Sequence, residues 1–239
     1  MDAYKLAEIA VFRGACQKLR ELRPVVALLR RRRLHTVIEI GTLKGGTLWL
    51  WCQLARPDAV LISVDLPGGE FGGGYPVKDR ARLRSYAQGD QSLHLLRSDS
   101  HTKATWEAVA QKLDGRKVDL LFIDGDHRYS GVKQDFRMYA PLVKTGRVVL
   151  LHDILPHPQV PICGVDRFWQ ELKGHFQYKE FVEPDDDRGW GQWGGLGLLL
   201  YTAEAYHHAV QRTALRAVAR IQSRTRQSKR RVQQPPSLG

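Results

Sequence analysis

The feature that most constrains this 239-residue chain is a repeated ending. Five short apolar runs each stop at a glycine or a polar residue. They are Thr36 to Ile40 before Gly41, Val60 to Val64 before Asp65, Leu93 to Leu96 before Ser98-Asp99, Val118 to Ile123 before Asp124, and Val148 to Leu151 before His152-Asp153. Between them, helical patterns are predicted at Thr47 to Leu54, Val77 to Gln88, Ala104 to Leu113 and Ser130 to Tyr139. Apolar strands alternating with helices give an α/β architecture, a parallel sheet covered on both faces. Ligands bind such sheets at the carboxyl ends of the strands. The polar endings collect at that edge.

Residues 4–29 carry apolar side chains at helical spacing, and Gly14 and Pro24 are expected to divide them into two helices. Late in the chain, Val165 to Lys173 reads as a helix and Tyr178 to Val182 and Leu196 to Tyr201 as strands. The acidic, Gly/Trp-rich stretch Pro184 to Gly195 reads as the loop between those strands. Its Trp190 and Trp193 suit either an acceptor wall or closure of the sheet edge. Residues 203–224 form an amphipathic helix in this reading, with disorder from Ser223 onward. The division is therefore a helical extension at 1–35, a body at 36–201 and an appendage at 202–239.

The charge is uneven. The formal net charge is +12, yet eight of the 37 basic residues follow Glu204 with no acid among them. The basicity belongs to the appendage rather than to the body. Such a tail suits an anionic membrane surface, nucleic-acid phosphates or plain solvation. No aromatic residue is interleaved among its arginines, so no recognisable RNA-binding pattern is present. No apolar run approaches the roughly 18 residues of a membrane span. Cys16, Cys52 and Cys163 are odd in number and form no CxxC pair, which points to free thiols and a cytoplasmic location.

Chemistry concentrates at the strand ends. In Glu39-Ile40-Gly41-Thr42-Leu43-Lys44-Gly45-Gly46, a strand ending in glycine allows a sharp turn and close approach of a ligand. Asp65 is placed to accept ribose hydroxyls, or to cap a helix. Asp124, Asp126 and His127 crowd two carboxylates and an imidazole, which costs free energy unless a cation or proton compensates. With the fourth and fifth strands adjacent, Asp124 and Asp153 would lie side by side as a hard-cation site. The five glycines of Pro67 to Pro76 make either a loop that folds over ligand or a simple connector.

These stretches resemble class I S-adenosylmethionine-dependent methyltransferases. The likeness is narrower for the branch of macrocin-type sugar O-methyltransferases and cephalosporin hydroxylase-like proteins. The matching segments are VIEIGTLKGGT, ISVDLPGG, SDSHT, DLLFIDGDHRYSGVKQDF, LVKTGRVVLLHDI, GVDRFWQELK and WGQWGGLGLL. The resemblance implies a Rossmann-like, doubly wound, mostly parallel seven-stranded sheet with helices on both faces, flanked by the N-terminal helical extension and the C-terminal basic helix and tail.

It also implies residue roles. Glu39, Gly41, Thr42 and Gly45 would shape the cofactor pocket, Asp65 would hold the ribose, and Asp99 and Ser100 would lie beside the adenine. Asp124 and Asp153 would hold a divalent metal, magnesium first and manganese second. Asp126 or His127 would be the general base. Relatives with a metal generally carry Asp, Glu or Asn where this chain has His152, so a softer metal and a role for His152 as base both stay open. The implied activity is O-methylation of a sugar, glycoside or other small hydroxylated metabolite, with a homodimer as a further expectation. Two other readings stand beside it: an RNA-binding protein or RNA methyltransferase using the tail, and a non-methylating protein of the same fold in a hydroxylation system.

Overall fold

The computed structural model describes residues 1–183 and 192–210. Trp190, Asp185 to Asp187 and the basic residues from Arg212 onward lie outside them. Two helices open the chain, α1 (Ala3–Phe12) and α2 (Leu19–Leu29). Then come β1 (Leu34–Ile40), α3 (Gly46–Leu54), β2 (Ala55–Asp65), α4 (Arg80–Arg84), β3 (Ser92–Arg97), α5 (Lys103–Leu113) and β4 (Val118–Ile123). The chain continues through α6 (Tyr129–Tyr139), β5 (Val143–Leu155), α7 (Val165–Leu172), β6 (Gln177–Phe181) and β7 (Gly194–Leu200). Residues 203–210 are helical.

The seven strands form one sheet in the order β3-β2-β1-β4-β5-β7-β6. The pairings of β1 to β5 are parallel, and β7 runs antiparallel to both β5 and β6. This is the doubly wound, mostly parallel α/β sheet that the family resemblance implies, and its parallel part is the sheet expected from the strand pattern. The sheet reverses its winding at β1, which sits between β2 and β4 and so opens a crevice at its carboxyl end.

Strand alternation sorts the core into two layers. Val37, Leu120, Phe122, Val148 and Leu150 pack with α1, α2 and α3, while Ile38, Leu121, Ile123, Val149 and Leu151 pack with α5, α6 and α7. Residues of the first 35 thus share a core with the sheet: Leu6, Ala10, Leu22, Val25 and Leu29 are all buried in it. Gly46 permits this closeness, since a Cβ there would lie 2.1 Å from the Ala15 nitrogen and 2.4 Å from the Ala10 carbonyl oxygen.

Two expectations need correction. Pro24 does not divide the first region; it lies inside α2 on the exposed face. There its missing N–H withdraws one helical hydrogen bond on the exposed side of the helix. Gly14, at φ +98°, lies in the break between α1 and α2. The helix expected over Val77 to Gln88 is a single 3-10 turn, Val77–Asp79, followed by the five residues of α4. Only Leu83 and Tyr86 of this stretch are buried, too little apolar surface to order a longer helix. No helix among the described residues is long and apolar enough to cross a membrane.

Candidate active site

One cavity of about 640 Å³ spans the carboxyl ends of the parallel strands. Its walls include Gly41, Thr42, Asp65, Asp99, Ser100, Asp124, Asp126, His127, His152 and Asp153. The strand ends named by the sequence therefore converge on one space.

At the β1–β2 end, Asp65 is buried and its two oxygens are held apart by backbone donors. The Thr42 amide donates to Oδ1 at 3.1 Å and the Tyr75 amide to Oδ2 at 2.9 Å. Each carboxylate oxygen still has lone-pair capacity for a further donor. Burial raises the Asp65 carboxyl above its usual range, against those amides. Gly41 turns at φ +88°, and a Cβ there would lie 2.0 Å from the Asp124 carbonyl oxygen. Only glycine lets the β1 turn lie against the β4 turn this closely.

Glu39 and Gly45 have different positions from those expected. Glu39 is 0% exposed and does not reach the cavity. Strand alternation turns it onto the α3 face, where the Trp51 indole donates to Oε1 at 2.8 Å and the Thr42 hydroxyl to Oε2 at 2.9 Å. Burial pushes its carboxyl up to about 8, despite hydrogen bonds from Thr47, Thr42 and Trp51. Gly45 caps α3 at φ +83° and faces Leu83, again away from the cavity. On the β3 side, Asp99 is bound by the His101 amide at 2.8 Å, and Ser100 donates to the buried Asp135 of α6 at 2.6 Å.

The opposite end holds the acid–imidazole cluster. His127 Nδ1 lies 2.6 Å from Asp153 Oδ2, and His127 Nε2 lies 3.6 Å from Asp124 Oδ1. His152 Nδ1 lies 3.0 Å from Asp124 Oδ1 and 3.6 Å from Asp153 Oδ1. Burial opposes charge on both rings, but the carboxylates prevail. The hydrogen bonds to Asp153 and Cys163 push His127 up to about 11. The charges of Asp153 and Asp124 push His152 up to about 9. Burial works against the Asp153 carboxylate too, yet the two imidazoles hold it well below the usual range. Asp126 is engaged locally, accepting from the Arg128 amide at 3.0 Å and pairing with its guanidinium at 3.2 Å.

The donor set fits a divalent cation. Asp124, His152 and Asp153 offer ligand atoms within 4.8 Å of one another, as do His127, Asp153 and Cys163. Asp153 Oδ1 is buried without a hydrogen-bond partner. Asp153 also holds φ +60°, a left-handed conformation unusual outside glycine that clusters at functional sites.

Four contributors escaped the sequence reading. Gln17, between α1 and α2, donates from Nε2 to Asp124 Oδ2 at 2.8 Å. Phe71, in the glycine-rich loop, stacks on His127 with centroids 4.9 Å apart and planes 21° apart. Glu70 of the same loop pairs with Arg128. Glu21 of α2, fully buried, accepts from the amides of Glu183 and Gly195 at 3.3 and 3.2 Å and ties the β6–β7 region to α2. An aromatic residue inside a glycine run was a signal for Phe71. Gln17 had none, because only tertiary docking brings it to the site, and Glu21 had none because its partners are backbone amides distant in sequence. Trp193 lines the cavity, with His157 against its ring edge at 4.9 Å and Lys18 over its face at 4.1 Å.

Comparison with known proteins agrees with this architecture. Residues 38–154 match a family model described as a methyltransferase domain. An uncharacterized protein of Sinorhizobium fredii is 30% identical over 154 residues, which cover 62% of this chain and 16% of that relative. The chain thus spans less than a fifth of the length of that curated relative. Among solved structures, the O-methyltransferase TomG from Streptomyces achromogenes, in complex with S-adenosylmethionine, superposes with a TM-score of 0.52 at 20% identity, covering 84% of this chain and 91% of that one. MycE, a methyltransferase of the mycinamycin pathway in complex with magnesium, S-adenosylhomocysteine and mycinamycin VI, gives a TM-score of 0.51 at 12% identity, covering 83% of this chain and 54% of that one. At these identities the likeness to solved structures is one of fold.

Proposed function

We propose that this chain is an O-methyltransferase that methylates a hydroxyl of a sugar, glycoside or other small metabolite with the help of a divalent cation; residues 38–154 match a family model described as a methyltransferase domain, and the fold is that of S-adenosylmethionine-bound O-methyltransferases. One observation carries the reading: Asp65, Gly41 and the Asp124–His127–His152–Asp153 cluster face one cavity, at the end of the sheet where such folds bind ligands.

When bound, S-adenosylmethionine supplies an already activated methyl group, and a divalent cation supplies a Lewis acid for the acceptor hydroxyl. The residues of the chain do the rest. Asp65 receives the ribose hydroxyls while the Thr42 and Tyr75 amides keep its carboxylate in place. Asp124 and Asp153 hold the cation, and Gln17 orients Asp124. His127 is the base. Asp153 fixes its Nδ1, Phe71 fixes its ring plane, and Nε2 is turned toward Asp124. The two carboxylates keep a proton on this ring, so a neutral imidazole becomes available only when their charge is compensated. Phe71 and the Glu70–Arg128 pair hold the glycine-rich loop against the site. Holding acceptor and methyl in line contributes up to ~7–11 kcal/mol toward the barrier.

The test is calorimetric titration of the full chain with S-adenosylmethionine and S-adenosylhomocysteine, followed by a turnover screen on glycosides and catechols with and without added cation. Micromolar cofactor binding and cation-dependent methyl transfer are expected. A chain that binds neither nucleoside would refute the reading.

A further inference from the structure

We infer that Asp135, a buried carboxylate of α6, is a positioning residue that makes the pocket select a nucleoside base carrying an exocyclic amine: it takes the Ser100 hydroxyl proton, so Ser100 presents only an acceptor to the base. The inference rests on the proposed cofactor site and narrows which purine that site accepts.

The strand order gives the place of the base. Asp65, proposed for the ribose, ends β2, and the acid–imidazole cluster lies at the ends of β4 and β5. The sheet runs β3-β2-β1-β4-β5 through this region. In S-adenosylmethionine the sulfonium and the base leave opposite sides of the ribose. With the methyl group directed at the cluster, the base is directed at the end of β3. The cavity wall there is Asp99, Ser100 and His101.

Three residues of α6 hold this wall. The Ser100 hydroxyl donates to Asp135 Oδ1 at 2.6 Å, and the Tyr139 hydroxyl donates to the Ser100 carbonyl at 2.7 Å. The Gln134 side-chain amide donates to the His101 carbonyl at 3.3 Å. His101 Nε2 lies 3.2 Å from Asp135 Oδ1. Asp135 is 0% exposed, and its Oδ2 makes no hydrogen bond. A buried carboxylate is costly unless it is paired. The partners that Asp135 has are two residues of the cavity wall, and it acts on a ligand only through them.

Hydrogen-bond polarity then decides the ligand. A hydroxyl has one proton to donate, and an ionised carboxylate only accepts. The Ser100 proton is therefore held on Asp135, and the Ser100 oxygen is left with lone pairs. Asp99 beside it is also an acceptor, with Oδ1 taking the His101 amide at 2.8 Å. A wall of acceptors matches the exocyclic amine of adenine. It opposes the carbonyl oxygen that replaces that amine in hypoxanthine, because two acceptors would then face each other. Burial raises the Asp135 carboxyl, against the His101 imidazole and the Ser100 hydroxyl, so the test is made at about pH 8, well above the ordinary carboxylate range.

The experiment is calorimetric titration of the full chain with S-adenosylhomocysteine and with S-inosylhomocysteine, which differ only at the base. The wild-type chain is expected to bind the adenosyl compound at least ~10-fold more tightly. That ratio is expected to fall at least ~5-fold in Ser100→Ala, which removes the acceptor, and in Asp135→Leu, which frees the Ser100 proton to face the ligand. Asp135→Asn keeps an acceptor oxygen for Ser100 and is expected to keep the ratio. A residue that only supports the fold would weaken both compounds alike and leave the ratio where it was. Circular dichroism checks the folding of each variant. An unchanged ratio in folded Asp135→Leu overturns the inference. An unchanged ratio in Ser100→Ala does so too, whether or not Asp135→Leu folds. Equal binding of the two compounds by the wild type overturns the inference and leaves the methyltransferase reading in place, whereas binding of neither removes both.

Discussion

Gln17 donates its side-chain amide to Asp124 across 107 residues of sequence, at 2.8 Å. It comes from the break between α1 and α2, ahead of the matched domain, and is 2% exposed. The helical extension is therefore part of the site. A hydrogen bond to a charged group is worth about 1.5–3 kcal/mol. Gln17→Leu is expected to lower methyl transfer by roughly 10- to 100-fold, with cofactor affinity nearly unchanged, because Asp65 and its amides are untouched. Steady-state kinetics and calorimetry on the same variant check this. Equal losses in both would mean that Gln17 supports the fold rather than Asp124.

Gly41 makes a sharper structural prediction. A Cβ there meets the Asp124 carbonyl at 2.0 Å, and φ is +88°. Gly41→Ala must open the contact between the β1 and β4 turns, at an expected cost of about 1–3 kcal/mol or more. Urea unfolding should show a lower midpoint with an unchanged slope, and S-adenosylhomocysteine binding should weaken in parallel. Wild-type stability in this variant would contradict the packing.

The legibility of the molecule followed the range of its interactions. Asp65, Asp124 and Asp153 could be placed at the cavity from the sequence because each follows or ends an apolar run, at the edge where such a sheet meets ligand. The parallel sheet covered on both faces followed from the same alternation, whereas the strand order is visible only in the structure. Glu39 was found but misplaced: one residue of strand alternation turns its side chain to α3 instead of the cavity. Pro24 was overread, because the rule that proline breaks helices ignores which face carries it. Gln17 and Cys163 were illegible as site residues, since each reaches the cavity only through docking of segments distant in sequence.

Asp65 both faces the cavity and anchors the glycine-rich loop through the Tyr75 amide. Asp65→Asn keeps the shape but presents one acceptor oxygen instead of two. Either the Thr42 or the Tyr75 amide then loses its partner, and the ribose loses a charged acceptor. S-adenosylhomocysteine affinity is expected to fall at least ~10-fold, and proteolysis should cut more readily within residues 67–76. Unchanged affinity would remove Asp65 from the ribose.

Glu39 predicts a pH dependence of stability that is separate from catalysis. Its carboxyl titrates near 4.5 in an unfolded chain and is pushed up to about 8 in the fold by burial. Between those values the folded protein holds a proton that the unfolded chain has released. The stabilisation linked to that proton is complete below about 4.5, declines as pH rises, and is lost above about 8. Glu39→Gln keeps an acceptor for the Trp51 indole and a polar partner for Thr42, yet never ionises. The wild-type unfolding free energy should therefore fall across this window relative to the variant, by on the order of a few kcal/mol. Above pH 8 the variant should be the more stable of the two. Urea unfolding of both proteins at several pH values between 5 and 9 checks the prediction, and parallel curves would show that Glu39 ionises in the fold as it does in water.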